Sequence, residues 1–396
     1  MKGTMQRLVP VVVPLALAGG ALAGDAAPPL ALAEAGSAPA WLAPGVITTE
    51  VTTRDLALTP AGDEAYFSMA GAGYDHAIIC VSRRRDGAWT APTTAPFSGD
   101  PHWIDLEPCV TPDGERLYFM STRNAAGDGA GDADLWFVER GRGGWREPRP
   151  VGPPVNTQAD EYFPSVTADG TLYFTRADPG GRTNRIWRAR PDAGGGFASP
   201  QRLPGAVNAG SNRFNAWVAP DESRVIIPVA GLPGNHGPVD YWQVRRHADD
   251  SWDEPENLGP RVNRGLGRGW SPCVTPDGLV FAYMAAPVGV DPWPRTWGLL
   301  QGRHRTPGAA GGIAVVALAT LGDEGAGTAD LAGSAAPVAF PAAAGPWLGQ
   351  DPPGMEPEIF APGLLSTGLD ERDVLVLPGG REIWYGVMSG GLATVL

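Results

Sequence analysis

The feature that most narrows what this chain can fold into is a seven-residue string that occurs twice, first as Pro108-Cys109-Val110-Thr111-Pro112-Asp113-Gly114 and then, letter for letter, as Pro272 to Gly278. Weaker copies read Leu58-Thr59-Pro60-Ala61-Gly62, Val166-Thr167-Ala168-Asp169-Gly170 and Val218-Ala219-Pro220-Asp221-Glu222. The five anchors therefore fall at 59, 111, 167, 219 and 275, with spacings of 52, 56, 52 and 56 residues. A period near 50 belongs to propellers and solenoids, where one supersecondary unit recurs until its apolar faces are covered.

Within a unit, the Thr-Pro-Asp-Gly turn joins two strands, because proline presets φ at one turn position and Asp-Gly tolerates the reversal. Short aromatic strands follow it, as in Ala65-Tyr66-Phe67, Leu117-Tyr118-Phe119 and Leu172-Tyr173-Phe174. A third strand is read at Asp134-Leu135-Trp136-Phe137-Val138, Arg185-Ile186-Trp187-Arg188 and Asp240-Tyr241-Trp242-Gln243-Val244. A fourth opens with an aromatic and a proline: Trp89-x-x-Pro92, Trp145-x-x-Pro148, Phe197-x-x-Pro200 and Trp252-x-x-Pro255. Four antiparallel strands make one propeller blade. The fifth unit stops after a third strand read at Thr296 to Leu300, while Trp41-Leu42-Ala43-Pro44 carries the fourth-strand signature before the first turn. The expectation is an all-β, five-bladed propeller over 41–305, closed by its N-terminal strand so that no sheet edge is left exposed. Six blades are the alternative.

The pattern Pro-x-Val-Thr-Pro-Asp-Gly-x-x-Leu-Tyr-Phe-x-Ser-x-Arg, then Asp-Leu-Trp, then Trp-x-x-Pro, resembles the WD-repeat-like (PD-type) propeller family, which includes the propeller of the Tol-associated periplasmic protein. The resemblance covers roughly 41–300, is tightest at 107–155 and degrades at Asp221-Glu222-Ser223. It implies fold and export rather than an activity, since one fold hosts many functions.

The ends read differently from the repeat. Lys2 and Arg7 precede the apolar run Leu8 to Ala18 and the small residues up to Ala23, the pattern of a signal peptide over 1–23. Residues 24–40 are Ala- and Pro-rich and read as a tether, which places the protein in the periplasm or outside the cell without a transmembrane span after cleavage. An Ala/Gly-rich linker is expected at 306–345, followed at 346–396 by the partial start of a second propeller. There Ala361-Pro362-Gly363-Leu364-Leu365-Ser366-Thr367 repeats Ala43 to Thr49, and Arg372-Asp373 repeats Arg54-Asp55. A swapped or extra blade is the rival reading of that segment. The formal charge of −13 sets nucleic-acid binding aside. Cys80, Cys109 and Cys273 are too few for a disulfide framework.

Candidate chemistry lies on the innermost strands. Positions six and four before each anchor share a side if the strands alternate regularly. They read Thr53 and Asp55, Asp105 and Glu107, Glu161 and Phe163, Arg213 and Asn215, Gly269 and Ser271. The opposite side, Leu56 and Leu58, Pro108 and Val110, Pro164 and Val166, is apolar and expected to pack. Asp55, Asp105, Glu107, Glu161, Arg213 and Asn215 are thus the expected binding residues of a central funnel. Asp55, Glu107 and Glu161 form the catalytic alternative, because paired carboxylates serve glycosidases as acid and as base or nucleophile. Trp103, Tyr162, Phe214 and Trp270 flank these strands and are expected to pack between blades. Asp128, Asp132 and Asp134 form a weak Ca²⁺ pattern that lacks the bidentate glutamate of the twelve-residue loop, so a glycine-rich turn is preferred and no cofactor is expected. His76, His102, His236, His247 and His304 show no zinc spacing. The leading expectation is a non-catalytic binding or scaffold module with a protein or glycan partner; the alternative is a carbohydrate-active hydrolase or lyase with funnel carboxylates.

Overall fold

A computed structural model describes residues 39–285 apart from 50, 72–73, 75, 101, 125, 127–129 and 264–269, together with 312–318 and the backbone of 370–376, 383–389 and 392–395. Its architecture is five small antiparallel sheets arranged as a five-bladed propeller. The first blade runs Thr52–Leu58, Glu64–Ala70, Ala77–Arg85 and then the short Ala88–Trp89 and Thr93–Thr94. The second uses Asp105–Val110, Arg116–Arg123 and Ala130–Gly141, with Gly144–Trp145 and Arg149–Pro150 outside. The third is built from Glu161–Val166, Leu172–Ala177, Asn184–Ala189 and Gln201–Arg202. In the fourth the innermost strand is split into Asn212–Arg213 and Trp217–Val218, followed by Arg224–Ala230, Val239–Arg245 and Glu256–Asn257. Innermost strands touch in the cycle first, second, third, fourth, fifth and back to first, so the ring is closed.

Closure occurs as the repeat predicts. Ala40–Trp41 pairs with the third strand of the fifth blade in the register Ala40 with Val315 and Trp41 with Ala314. That third strand is Gly312–Ala317, paired on its other side with Val280–Ala285. The expected boundary at 305 and the expected linker from 306 are corrected here: the Ala/Gly/Val run supplies a strand. Ile313-Ala314-Val315-Val316 is a continuous apolar run, which suits a strand buried on both faces but looks like linker by composition. The strand expected at Thr296 to Leu300 lies outside the described residues, as do 1–38, on which the expected signal peptide and most of the expected tether fall.

The turn chemistry explains the repeat. Thr111 Oγ1 donates to Asp113 Oδ1 at 2.5 Å, the Gly114 N–H donates to the Thr111 carbonyl at 2.8 Å, and Gly114 sits at φ 76°, where a side chain would be strained. Thr275, Asp277 and Gly278 repeat the arrangement. Apolar clusters fill each of the five blade boundaries; Tyr66, Phe119 and Trp136 join the first and second blades, and Trp41, Tyr241 and Phe281 join the fourth and fifth. Leu56, Leu58, Val110 and Val166 belong to these clusters, as their side of the strand predicts. Beyond the ring, 370–376, 383–389 and 392–395 form a separate three-stranded sheet. Its first pair shifts register between Arg372 and Leu375, just as the first blade does between Arg54 and Ala57.

Candidate functional site

The innermost strands do not alternate regularly. In the first, second, third and fifth blades the register slips by one residue, between Arg54 and Ala57, Leu106 and Cys109, Tyr162 and Ser165, and Trp270 and Cys273. In every blade the residue four before the anchor has a left-handed backbone: Asp55 at φ 59°, Glu107 at 61°, Phe163 at 50°, Asn215 at 52° and Ser271 at 64°. A bulge of this kind re-aims its side chain and the one before it. Adjacent residues that would point to opposite faces of a regular strand can then meet.

Arg54 and Asp55 do so. Arg54 Nε donates to both Asp55 oxygens at 2.8 Å, and Arg54 Nη2 donates to Glu107 Oε1 at 2.8 Å across the blade boundary. Ser271 Oγ, from the fifth blade, donates to Asp55 Oδ1. Glu107 Oε2 accepts the Phe163 N–H at 2.7 Å, and Oε1 also accepts from Asn215 Nδ2 at 3.4 Å. The left-handed positions of all five blades thus converge on one network. Burial pushes the Glu107 carboxyl up to about 7; the Arg54 charge opposes this and the nearby Asp55 adds to it. Glu107 is 5% exposed and Asp55 is 3% exposed.

The residues six before the anchor are placed elsewhere, because the bulge breaks the parity that grouped them with Asp55 and Glu107. Asp105 accepts from Arg123 Nη2 at 2.7 Å, and that guanidinium lies between the rings of Trp103, Phe119 and Trp136. Glu161 accepts from Arg176 Nε and Thr157 Oγ1, both at 2.6 Å, and from the Thr157 N–H at 2.8 Å. Burial raises both carboxyls against these partners. Arg213 donates to the carbonyls of Ala209, Asn184 and Gly210. These three hold the starts of their strands, while Asp55, Glu107 and Asn215 come together.

Two participants escape a reading by alternation, Arg54 and Tyr74. The Arg54 guanidinium lies 5.2 Å from the ring centre of Trp270 and 5.6 Å from that of Tyr74. Trp270 meets Tyr74 at 6.1 Å and Phe214 edge-on at 6.5 Å. These rings and Tyr162 are half-buried and form an aromatic rim beside the network rather than only packing between blades. The signal for Arg54 was the duplicated Arg-Asp pair at 372–373.

Asp134 is buried, and its Oδ1 has no hydrogen-bond partner; burial and the neighbouring Asp132, Glu161 and Asp160 push its carboxyl up to about 7. Among the described residues no group of three His, Cys, Asp or Glu side chains is placed to hold a metal ion, and Asp128 lies outside them. Cys109 and Cys273 are free thiols pushed up to about 12 by burial. A cavity of about 520 Å³ opens at the opposite end of the blades, among the turns of Thr111, Asp113, Arg116, Glu139 and Phe197, away from the carboxylate network. No helix among the described residues is long and apolar enough to cross a membrane.

No protein-family model matches the chain, including any for the WD-repeat-like propellers, and no curated protein matches it. Solved structures do. An α-L-arabinofuranosidase from Podospora anserina is 9% identical, with 69% of this chain and 94% of that chain covered and a TM-score of 0.43. A GH43 endo-arabinanase from Bacillus licheniformis is 12% identical, with 69% and 96% covered and a TM-score of 0.42. The catalytic domain of a GH62 α-L-arabinofuranosidase from Coprinopsis cinerea is 9% identical, with 79% and 97% covered and a TM-score of 0.44. The leading expectation of a non-catalytic scaffold is corrected at this point in favour of its alternative, since the three solved propellers just named are carbohydrate-active hydrolases. At these identities the likeness is one of fold, and the chemistry has to come from the site.

Proposed function

We propose that the chain is a carbohydrate-active hydrolase that works where the innermost strands of the first and second blades meet, with Glu107 as proton donor and Asp55 as the carboxylate that attacks or activates water. One relationship carries the reading: two carboxyl groups from adjacent blades share the Arg54 guanidinium, and burial holds Glu107 near neutrality. Glycosidic cleavage needs two carboxyl groups in unlike surroundings, so that one gives a proton to the leaving oxygen while the other acts as an anion. Glu107 then protonates the glycosidic oxygen as the bond to the anomeric carbon breaks, and Asp55 supplies or directs the attacking oxygen. The rings of Tyr74, Tyr162, Phe214 and Trp270 offer faces for a sugar to stack on. Asn215 is assigned to the site with them, and Asp105, Glu161 and Arg213 to its support.

Action outside the cytoplasm, after removal of residues 1–23, remains part of the proposal and rests on the sequence pattern. Kinship with the WD-repeat-like propellers rests likewise on the repeat motif. No cofactor is invoked. The test is turnover of bacterial and plant polysaccharides by the full chain, read as new reducing ends. Glu107→Gln should lower kcat about 10²- to 10⁴-fold, and Asp55→Asn should abolish turnover. Failure of the unaltered chain to cleave any member of the panel would sink the reading.

A further inference from the structure

The bulge gives the first blade a feature that the other four lack. The residue before each left-handed position reads Arg54, Leu106, Tyr162, Phe214 and Trp270, so a cation stands at this level in one blade only. Its partners come from three directions: Asp55 from its own strand, Glu107 from the next blade, and the ring of Trp270 from the blade before. Arg54 is 5% exposed, so the guanidinium has exchanged water for these groups.

We propose that Arg54 is the positioning residue of this site, a planar fork that fixes the Asp55 and Glu107 carboxylates relative to each other and carries the Trp270 and Tyr74 rings against them. The inference rests on the reading of Asp55 and Glu107 as an acid–base pair, and assigns the group that makes them one. A guanidinium donates in fixed directions within one plane, whereas an ammonium is a compact point charge whose three donors rotate on a flexible stem and impose no common plane on their partners. The bond from Nε to Asp55 and the bond from Nη2 to Glu107 therefore constrain both carboxyls together. A second observation treats Arg and Asp as a unit. In the C-terminal sheet the same dipeptide, Arg372-Asp373, stands at the same register shift as Arg54-Asp55.

The groups around Glu107 are Arg54 and Asp55 of the first blade, Tyr162 of the third and the Asn215 amide of the fourth; Tyr74 and Tyr241 complete the surroundings of Arg54. Among these Arg54 is the single cation, so its removal has a signature that simple loss of packing does not. The experiment follows the protonated carboxyl band of Glu107 by infrared difference spectroscopy on the full chain, assigned by its loss in Glu107→Gln. In Arg54→Gln the band should persist to higher pH, its midpoint raised by about 1–3 pH units, because an opposite charge within about 4–6 Å has been taken away. Arg54→Lys keeps a charge but not the fork, so its midpoint should rise by less while kcat falls about 10²-fold at little change in KM. A midpoint unmoved in both variants overturns the proposal, and where Arg54→Gln does not fold, Arg54→Lys decides alone. If the band moves as expected and the unaltered chain cleaves no polysaccharide, the hydrolase reading falls while the assignment of Arg54 to the carboxyl pair stands.

Discussion

Arg54 Nη2 reaches Glu107 Oε1 at 2.8 Å across the boundary between the first and second blades, while Nε of the same guanidinium is held by Asp55, its neighbour in sequence. A regular strand would send Arg54 and Asp55 to opposite faces. The left-handed backbone at Asp55 brings them together, and the left-handed backbone at Glu107 re-aims its carboxylate in the same way. Local backbone and the packing of two blades are therefore both needed before the carboxyl pair exists.

The Glu107 carboxyl, raised to about 7 in the folded chain, leaves a trace in stability. An unfolded glutamate titrates near about 4.3. Between those values the folded protein keeps a proton that the unfolded chain has released, so stability from this group is full below the lower value and is lost as pH rises to the upper. Urea unfolding of the full chain should show a decline on the order of 3–4 kcal/mol across that window. Glu107→Gln should flatten it, and parallel curves for the two proteins would refute the assignment.

Trp270 couples the rim to the network, since its ring faces the Arg54 guanidinium at 5.2 Å and meets Phe214 and Tyr74. Its replacement by alanine removes a stacking face and one side of the Arg54 sandwich. An aromatic contact of this kind is worth about 0.5–1.5 kcal/mol, so KM for a cleaved polysaccharide should rise about 3- to 10-fold in Trp270→Ala. An unchanged KM would confine Trp270 to packing.

Much of the fold is legible because turn chemistry is local. Thr111, Asp113 and Gly114 bond to one another within four residues, so the motif survives in any blade that needs that turn. Trp41-x-x-Pro44 announces the closing strand for the same reason. The bulge is not legible, because Asp, Glu, Phe, Asn and Ser all occupy it; the ring imposes that backbone rather than the residue type. Counting by two therefore groups Asp105 with Glu107 and overlooks Arg54. Gly312–Ala317 is missed because small apolar residues suit a doubly buried strand and a linker alike.

Trp41 is 8% exposed and packs with Tyr241 and Phe281, while its backbone covers the edge of Gly312–Ala317. Trp41→Ala should cost about 3–5 kcal/mol and promote aggregation through the uncovered strand. Urea midpoints and light scattering check both effects. Leu279→Ala, at an exposed hydrophobic residue of the same blade, should change neither.

Glu222 stands where four of the five turns have glycine, at φ 59°, a conformation that costs a side-chain-bearing residue roughly 1–2 kcal/mol. Glycine would relieve that cost, yet Glu222 also accepts from the buried Tyr173 hydroxyl at 2.6 Å and pairs with Arg246 at 3.1 Å, with Arg188 and Arg190 at 3.6 Å. Removing the carboxylate leaves the Tyr173 hydroxyl buried without its acceptor, a loss of about 1–3 kcal/mol, and takes one anionic partner from three arginines, of which Arg188 and Arg246 keep Asp250. Glu222→Gly should therefore lower stability by about 1 kcal/mol net, despite restoring the motif residue. Adding Tyr173→Phe should recover part of that loss, because the stranded hydroxyl is gone. If Glu222→Gly equals or exceeds the unaltered chain in urea unfolding, backbone strain outweighs the network, and the fourth turn is a defect rather than a joint between the third and fourth blades.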